Sequence, residues 1–196
     1  MTVAQTTLLL VRHPETEANV EGRFVGRGDS PYTAEGERQF ALLTDRITAF
    51  EPDRIWTSPL RRTASLAEAA AKRTGEPFSV DERLIELDFG DAEGLTWDEI
   101  TARDLEFDYR SYDTPVAPGG ESRGSIERRS AEIAAEIVEL RGRHAICTHG
   151  GVFRAMLVSL LGLSRTDIWA FHIRNAAIAE VRVVDGHGML EEFVRA

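Results

Sequence analysis

Residues 8–19, LLLVRHPETEAN, decide how the chain is read. Four apolar residues, Leu8 to Val11, run without interruption into Arg12, His13 and Pro14. A continuous apolar run of this length suits a strand of a parallel sheet covered on both faces, so residues 7–11 are read as one. The pattern returns at residues 144–151, HAICTHGG, where a second apolar run ends on His149. Two parallel central strands of this kind would deliver Arg12, His13 and His149 to one sheet edge, the carboxyl end where open α/β sheets bind their ligands.

Helical and strand patterns alternate between and beyond these runs. Thr33 can cap a helix on which Phe40, Leu43, Ile47 and Phe50 recur at spacings of three and four. Residues 54–58, RIWTS, read as a short strand; Ser58 as N-cap and Pro59 at the first helical position then open an Ala-rich helix that Gly75 closes. Thr96 and Glu99 have capping-box spacing. A helix from about Ser122 to Leu140 lines up Ile126, Ile133, Ile137 and Leu140, and an apolar helix to Leu161 follows HAICTHGG. Residues 177–184 and 189–196 read as two strands around a turn at 185–188. The alternation predicts an α/β protein, a three-layer α/β/α sandwich with a mostly parallel central sheet. Its 196 residues fit one domain.

The chain carries 23 basic and 33 acidic residues, a net charge of −10. That balance argues against nucleic acid or an anionic membrane surface as partner, so an anionic ligand needs a local basic pocket. Cys147 is the only cysteine. It excludes an intrachain disulfide or a cysteine metal cage and fits a reducing, cytoplasmic setting. Residues 1–7, MTVAQTT, place no basic residue ahead of the apolar run, which breaks at Arg12, so neither a signal peptide nor a membrane span is expected.

Three segments carry charged groups where strands end or helices begin: VRHPETEAN, TSPLRRTA and CTHGG. The first, with Arg12, His13, Thr16 and Asn19, resembles the Arg-His-x-x-Thr-x-x-Asn signature of the histidine phosphatase superfamily, which includes the cofactor-dependent phosphoglycerate mutases. The resemblance continues through Arg23, Gly26, Asp29, Pro31, Thr33 and Gly36, then through SPLRRTA, where Ser-x-Leu-x-Arg spacing selects Arg62 over Arg61. RLIELDFGDAEG carries Glu86, and PGGES and THGG complete the order. Each piece alone is weak, whereas the ordered set is specific. Two departures stand out. Pro14 replaces the usual Gly and removes one backbone N–H. Ala92 replaces a common aromatic and is expected to widen the pocket.

The resemblance implies a phosphoglycerate mutase-like fold and phosphoryl transfer; no Gly-x-x-x-x-Gly-Lys loop, His-Glu-x-x-His pair or ordered Asp/Glu cluster argues for a nucleotide or metal, so neither metal nor cofactor is expected. His13 is then the nucleophile, Glu86 the general acid and base, and Arg12, Arg62 and His149 the groups around the phosphoryl oxygens. Asn19, Gly26 and Gly150 are the supporting substrate-binding groups. The chemistry is sound for these residue types. A phosphate dianion repels nucleophiles until cations and donors surround it, and neighbouring guanidinium groups keep an attacking imidazole neutral.

The segment at about 95–125 is expected to form a variable lid. Because the mutases are longer, hydrolysis of a small phosphorylated metabolite is expected over mutase-type phosphoryl transfer. The branch containing α-ribazole phosphatases and broad-range sugar phosphatases is the one most resembled. A non-catalytic phospho-ligand binder would have no use for Glu86. A homodimer is left open. His144, His172 and His187 are read as structural or surface residues, Arg61 as solvated, and Glu93 as a cap or pair. The tryptophans and phenylalanines are core by default, and for Trp97, Phe107, Tyr109 and Tyr112 a pocket role stays open. CTHGGVFR has the wrong spacing for a cysteine-phosphatase loop.

Overall fold

The apolar run folds as expected. In the computed structural model, which describes residues 5–196, β1 (Gln5–Arg12) is buried from Thr6 to Val11. Residues 1–4, which belong to the MTVAQTT reading, lie outside the described residues. The chain continues through α1 (Glu17–Val20), α2 (Ala34–Ala49), β2 (Arg54–Thr57), α3 (Arg61–Thr74) and β3 (Phe78–Val80). It then forms α4 (Trp97–Ala102), α5 (Arg123–Glu139), β4 (Gly142–Thr148), α6 (Gly150–Leu160), β5 (Ala177–Val184) and β6 (His187–Arg195). The strands make one six-stranded sheet in the order β3-β2-β4-β1-β5-β6. The first four are mutually parallel, and β5 and β6 run antiparallel at one side.

Alternation along β1 splits the core into two layers. Leu8 and Leu10 pack with Ile133, Phe153 and Met156 of α5 and α6. Leu9 and Val11 pack with Leu43, Ile47 and Leu66 of α2 and α3. The sheet is therefore covered on both faces, which is why β1 tolerates no polar alternation. β1 and β4 are neighbours with Arg12 opposite Thr148, and the His13 amide donates to the Thr148 carbonyl at 3.0 Å. His13 and His149 thus leave the sheet side by side.

Several local readings change. Ser58 does not cap α3: the helix starts at Arg61 behind Leu60, whose backbone is extended. The Ser58 hydroxyl instead accepts from the Leu60 amide at 3.2 Å, closing a turn one step ahead of the helix. Leu140 is 52% exposed rather than facing the core, because α5 ends before it and Arg141 turns the chain at φ 58°. The final turn contracts to Asp185 and Gly186, both at positive φ, the geometry that matches strand twist in a two-residue hairpin. β3 is a three-residue edge strand with no sequence signal. Thr33 caps α2 by accepting from the Gly36 amide, and Thr96 and Glu99 form their capping box. Among the described residues no helix is long and apolar enough to cross a membrane.

Leu9 is fully buried between β1 and the α2–α3 layer. Leu9→Ala should lower stability by about 2–5 kcal/mol. This would be read as a reduced urea midpoint at unchanged m value.

Candidate active site

The carboxyl ends of β1 and β4 bring the two histidines together. Their ring centroids are 5.3 Å apart, and both side chains are buried. The Nδ1–H of His13 donates to the Pro14 carbonyl at 2.7 Å, so the lone pair belongs to Nε2. The residue that breaks the family pattern by losing an N–H therefore fixes the tautomer through its C=O. Burial, then the charges of Arg12 and Arg62, hold the His13 pKa well below the ordinary 6.5.

His149 has the opposite tautomer. Its Nδ1 accepts from Arg62 Nε at 3.1 Å, leaving Nε2–H to donate to Ser58 Oγ at 2.8 Å. Burial first, then Arg62, His13 and Arg12, depress its pKa well below 6.5. The other Arg62 nitrogens donate to the Gly28 carbonyl at 2.6 Å and the Gly26 carbonyl at 2.8 Å. The N–H side of that loop is held in turn by Glu93, which accepts from Gly26, Arg27 and Gly28 at 2.8–3.1 Å. Glu93 is thus a loop clamp.

Arg12, His13, Asn19, Glu86 and Gly150 line one pocket of about 200 Å³. Arg62, His149 and Gly26 stand behind it rather than on its wall. Arg12 Nη1 donates to the Ile173 carbonyl at 2.6 Å, while its buried Nε has no partner among the described residues. A buried donor left unpaired marks where an acceptor belongs. Burial lowers the Arg12 pKa to about 10, partly offset by Glu86, so the group stays cationic at neutral pH. Glu86 is held by the amides of Leu87 at 2.9 Å and Gly151 at 3.1–3.2 Å. A Cβ at Gly151 would collide with Glu86 Oε1, so the absence of a side chain there lets Glu86 take its position. Gly150 opens α6, which points the positive end of an eleven-residue helix at the pocket.

The family model described as histidine phosphatase superfamily (branch 1) matches residues 8–195. The chain belongs to the histidine phosphatase superfamily. Phosphoserine phosphatase 1 of Hydrogenobacter thermophilus is 29% identical over 191 residues, covering 93% of this chain and 89% of the relative. A Salmonella paratyphi C protein named "Probable phosphoglycerate mutase GpmB" is 32% identical over 178 residues, covering 88% and 82%. The solved mycobacterial glucosyl-3-phosphoglycerate phosphatase in complex with VO3 superposes with a TM-score of 0.85 at 27% identity, covering 97% of this chain and all of that one. The fold of this histidine phosphatase is accordingly phosphoglycerate mutase-like, and its enzyme class is that of the phosphatases.

Sequence reasoning missed several residues of this histidine phosphatase. Asn175, just before β5, donates to Asn19 Oδ1 at 2.7 Å. With Thr16 N and Oγ1 at 3.2 and 2.9 Å, it fixes that amide oxygen and leaves the Asn19 NH₂ as the end available to the pocket. Arg154, which the sequence did not single out, also lines the pocket, as does Tyr109, whose pocket role the sequence left open; Tyr109 joins it to a neighbouring cavity of about 1160 Å³. That cavity takes Trp97, Phe107 and Tyr112 from the 95–125 segment and Trp169 from the turn at Arg165–Trp169. Trp97 and Trp169 are 58% and 46% exposed, so neither is core. Ala92 is fully buried in the core and does not widen the pocket. Among the other histidines, His144 is buried and its Nε2 meets the Arg141 carbonyl at 2.6 Å. Burial lifts the Cys147 thiol to about 12, which keeps it protonated.

Because both imidazoles titrate below 6.5 when folded and near 6.5 when unfolded, the unfolded chain binds more protons in mild acid. Their contribution to stability should be complete above about pH 6.5 and decline as pH falls below it. His149→Asn should flatten that decline in thermal unfolding across the same range. Gly151→Ala should displace Glu86 and lower kcat by roughly 10²-fold, as measured on any phosphomonoester the enzyme turns over.

Proposed function

We propose that this histidine phosphatase is a metal-independent phosphomonoesterase that hydrolyses a small phosphorylated metabolite through a phosphohistidine on His13. The observation that carries the reading is the His13 ring. Its Nδ1–H is tied to the Pro14 carbonyl, so a neutral imidazole offers the Nε2 lone pair in a pocket that also holds Arg12 and Glu86.

In the first half-reaction Nε2 attacks phosphorus in line, the N–P bond forms, and the P–O ester bond breaks. Glu86 gives its proton to the departing oxygen, a contribution of about 10²- to 10⁴-fold. In the second, the Glu86 carboxylate takes a proton from water as that oxygen attacks phosphorus. The N–P bond then breaks, inorganic phosphate leaves, and neutral His13 returns. The unpaired Arg12 Nε, the Gly150 amide and the Asn19 NH₂ are the donors assigned to the phosphoryl oxygens. Arg62 supplies charge from behind, orients His149, and is held by Gly26.

We read residues 1–196 as one histidine phosphatase domain and residues 95–125 as its lid. The tilted packing of Phe107 against Phe24 at 4.8 Å and the edge-to-face packing of Trp97 against Phe107 at 5.8 Å support a lid seated beside the site. The buried, protonated Cys147 fits a cytoplasmic protein. Transfer to a second hydroxyl is the competing reading, favoured by the similarity to the GpmB protein.

The test uses two variants. His13→Ala should abolish phosphate release and the alkali-stable phosphoenzyme seen on rapid quenching; retention of either would refute the nucleophile. Glu86→Gln should lower kcat by roughly 10²- to 10⁴-fold on alkyl phosphates and far less on nitrophenyl phosphate, whose leaving group needs no proton. Phosphoglycerate isomerisation faster than phosphate release would replace hydrolysis with the mutase reaction.

A further inference from the structure

The chemistry above uses Arg12 and Arg62 and leaves a third arginine unexplained. Arg154, one turn into α6, lines the same small pocket as His13 and Glu86. Its guanidinium lies 5.1 Å from the Trp169 ring centroid, and its Nε makes only a long 3.4 Å approach to the Phe171 carbonyl. Tyr109 meets it as well, and none of these contacts supplies a negative charge. Arg23, which also lines the pocket, is different: it is already paired with Glu21 at 2.5 Å and Glu99 at 2.9 Å. Arg154 is therefore a cation without a carboxylate partner among the described residues, held at the junction between the phosphoryl pocket and the aromatic cavity that Tyr109 connects.

We propose that Arg154 is a specificity-determining residue that binds a carboxylate on the leaving group, making carboxylated phosphomonoesters the preferred substrate class. The inference rests on the phosphatase reading and adds the substrate's second anionic group.

Geometry and charge both select a carboxylate close to the ester. Arg154 shares a pocket of about 200 Å³ with the nucleophile, so whatever it binds must stand within a few bonds of the phosphorus. The guanidinium groups of Arg12, Arg62 and Arg154 match a phosphate dianion plus one carboxylate when Glu86 enters as the acid. A second phosphate would exceed them. A planar guanidinium also pairs with a carboxylate through two parallel hydrogen bonds, and Trp169 beneath it fixes the plane. The remainder of the leaving group would extend past Tyr109 into the larger cavity.

The experiment compares 3-phosphoglycerate with glycerol 3-phosphate, which differ only in a carboxylate against a hydroxymethyl group. The wild-type enzyme should favour the carboxylate by roughly 10- to 100-fold in kcat/KM, the range of a charge-assisted contact. Arg154→Met should collapse that ratio toward one, mainly through KM for the carboxylated ester, and Arg154→Lys should restore part of it. A wild-type ratio of one or below overturns the inference while leaving the phosphatase intact, and needs no variant to fold. Equal losses on both esters in Arg154→Met, with an unchanged unfolding temperature, overturn it too, because Arg154 would then serve the phosphoryl group itself. Absence of phosphate release from every phosphomonoester defeats the phosphatase reading and this inference together.

Discussion

A buried guanidinium organises this protein. Arg62 is 4% exposed, and a charge taken out of water is tolerated only when its donors are matched. All three of its nitrogens are matched, by two carbonyls of the loop at residues 26–28 and by the His149 ring. The arrangement turns one unavoidable cost into three constraints: it sets the loop, fixes the His149 tautomer, and adds positive potential beside His13. Glu93 completes the balance by holding the loop's amides from the other side. Burial keeps the neighbouring histidines neutral, and the charge of Arg62 adds to that effect.

The site divides into a wall and a backing. Arg12, His13, Asn19, Glu86 and Gly150 form the wall, and each side chain is held by backbone groups or by a second side chain. The backing consists of Arg62, His149 and Ser58, a buried hydrogen-bonded chain. A wall built this way presents a lone pair, a carboxyl group and an unpaired donor already held in place. The glycines at the site belong to the same logic. Gly150 lies against the Arg12 guanidinium, and Gly151 leaves the space that Glu86 occupies.

The sheet makes this arrangement possible. Parallel pairing of β1 with β4 places Arg12 opposite Thr148, so the next residues on both strands, His13 and His149, emerge together. A shift of one residue in that register would send the histidines to different faces. At this end the pairing is closed by the His13 amide, which donates to the Thr148 carbonyl.

Much of this was legible in the sequence. Two apolar runs ending on histidines specified parallel strands, the α2 and α5 periodicities specified their cover, and the ordered motifs named His13, Arg62, Glu86 and His149 before any geometry. These signals are local: strand burial, helix caps and motif spacing depend on residues close in the chain. What only the tertiary structure decided lies in contacts between distant segments. Ser58 reads as a helix cap and becomes the His149 partner. Glu93 reads as a generic pair and clamps a loop more than sixty residues away. Asn175 and Arg154 carry no motif, Trp169 reads as core yet lines a cavity, and the pocket role that the sequence left open for Trp97 is decided by the fold. Their roles depend on which atoms the folded chain brings within reach, and hydrogen bonds, burial and charge act over a few ångströms of space rather than along the sequence.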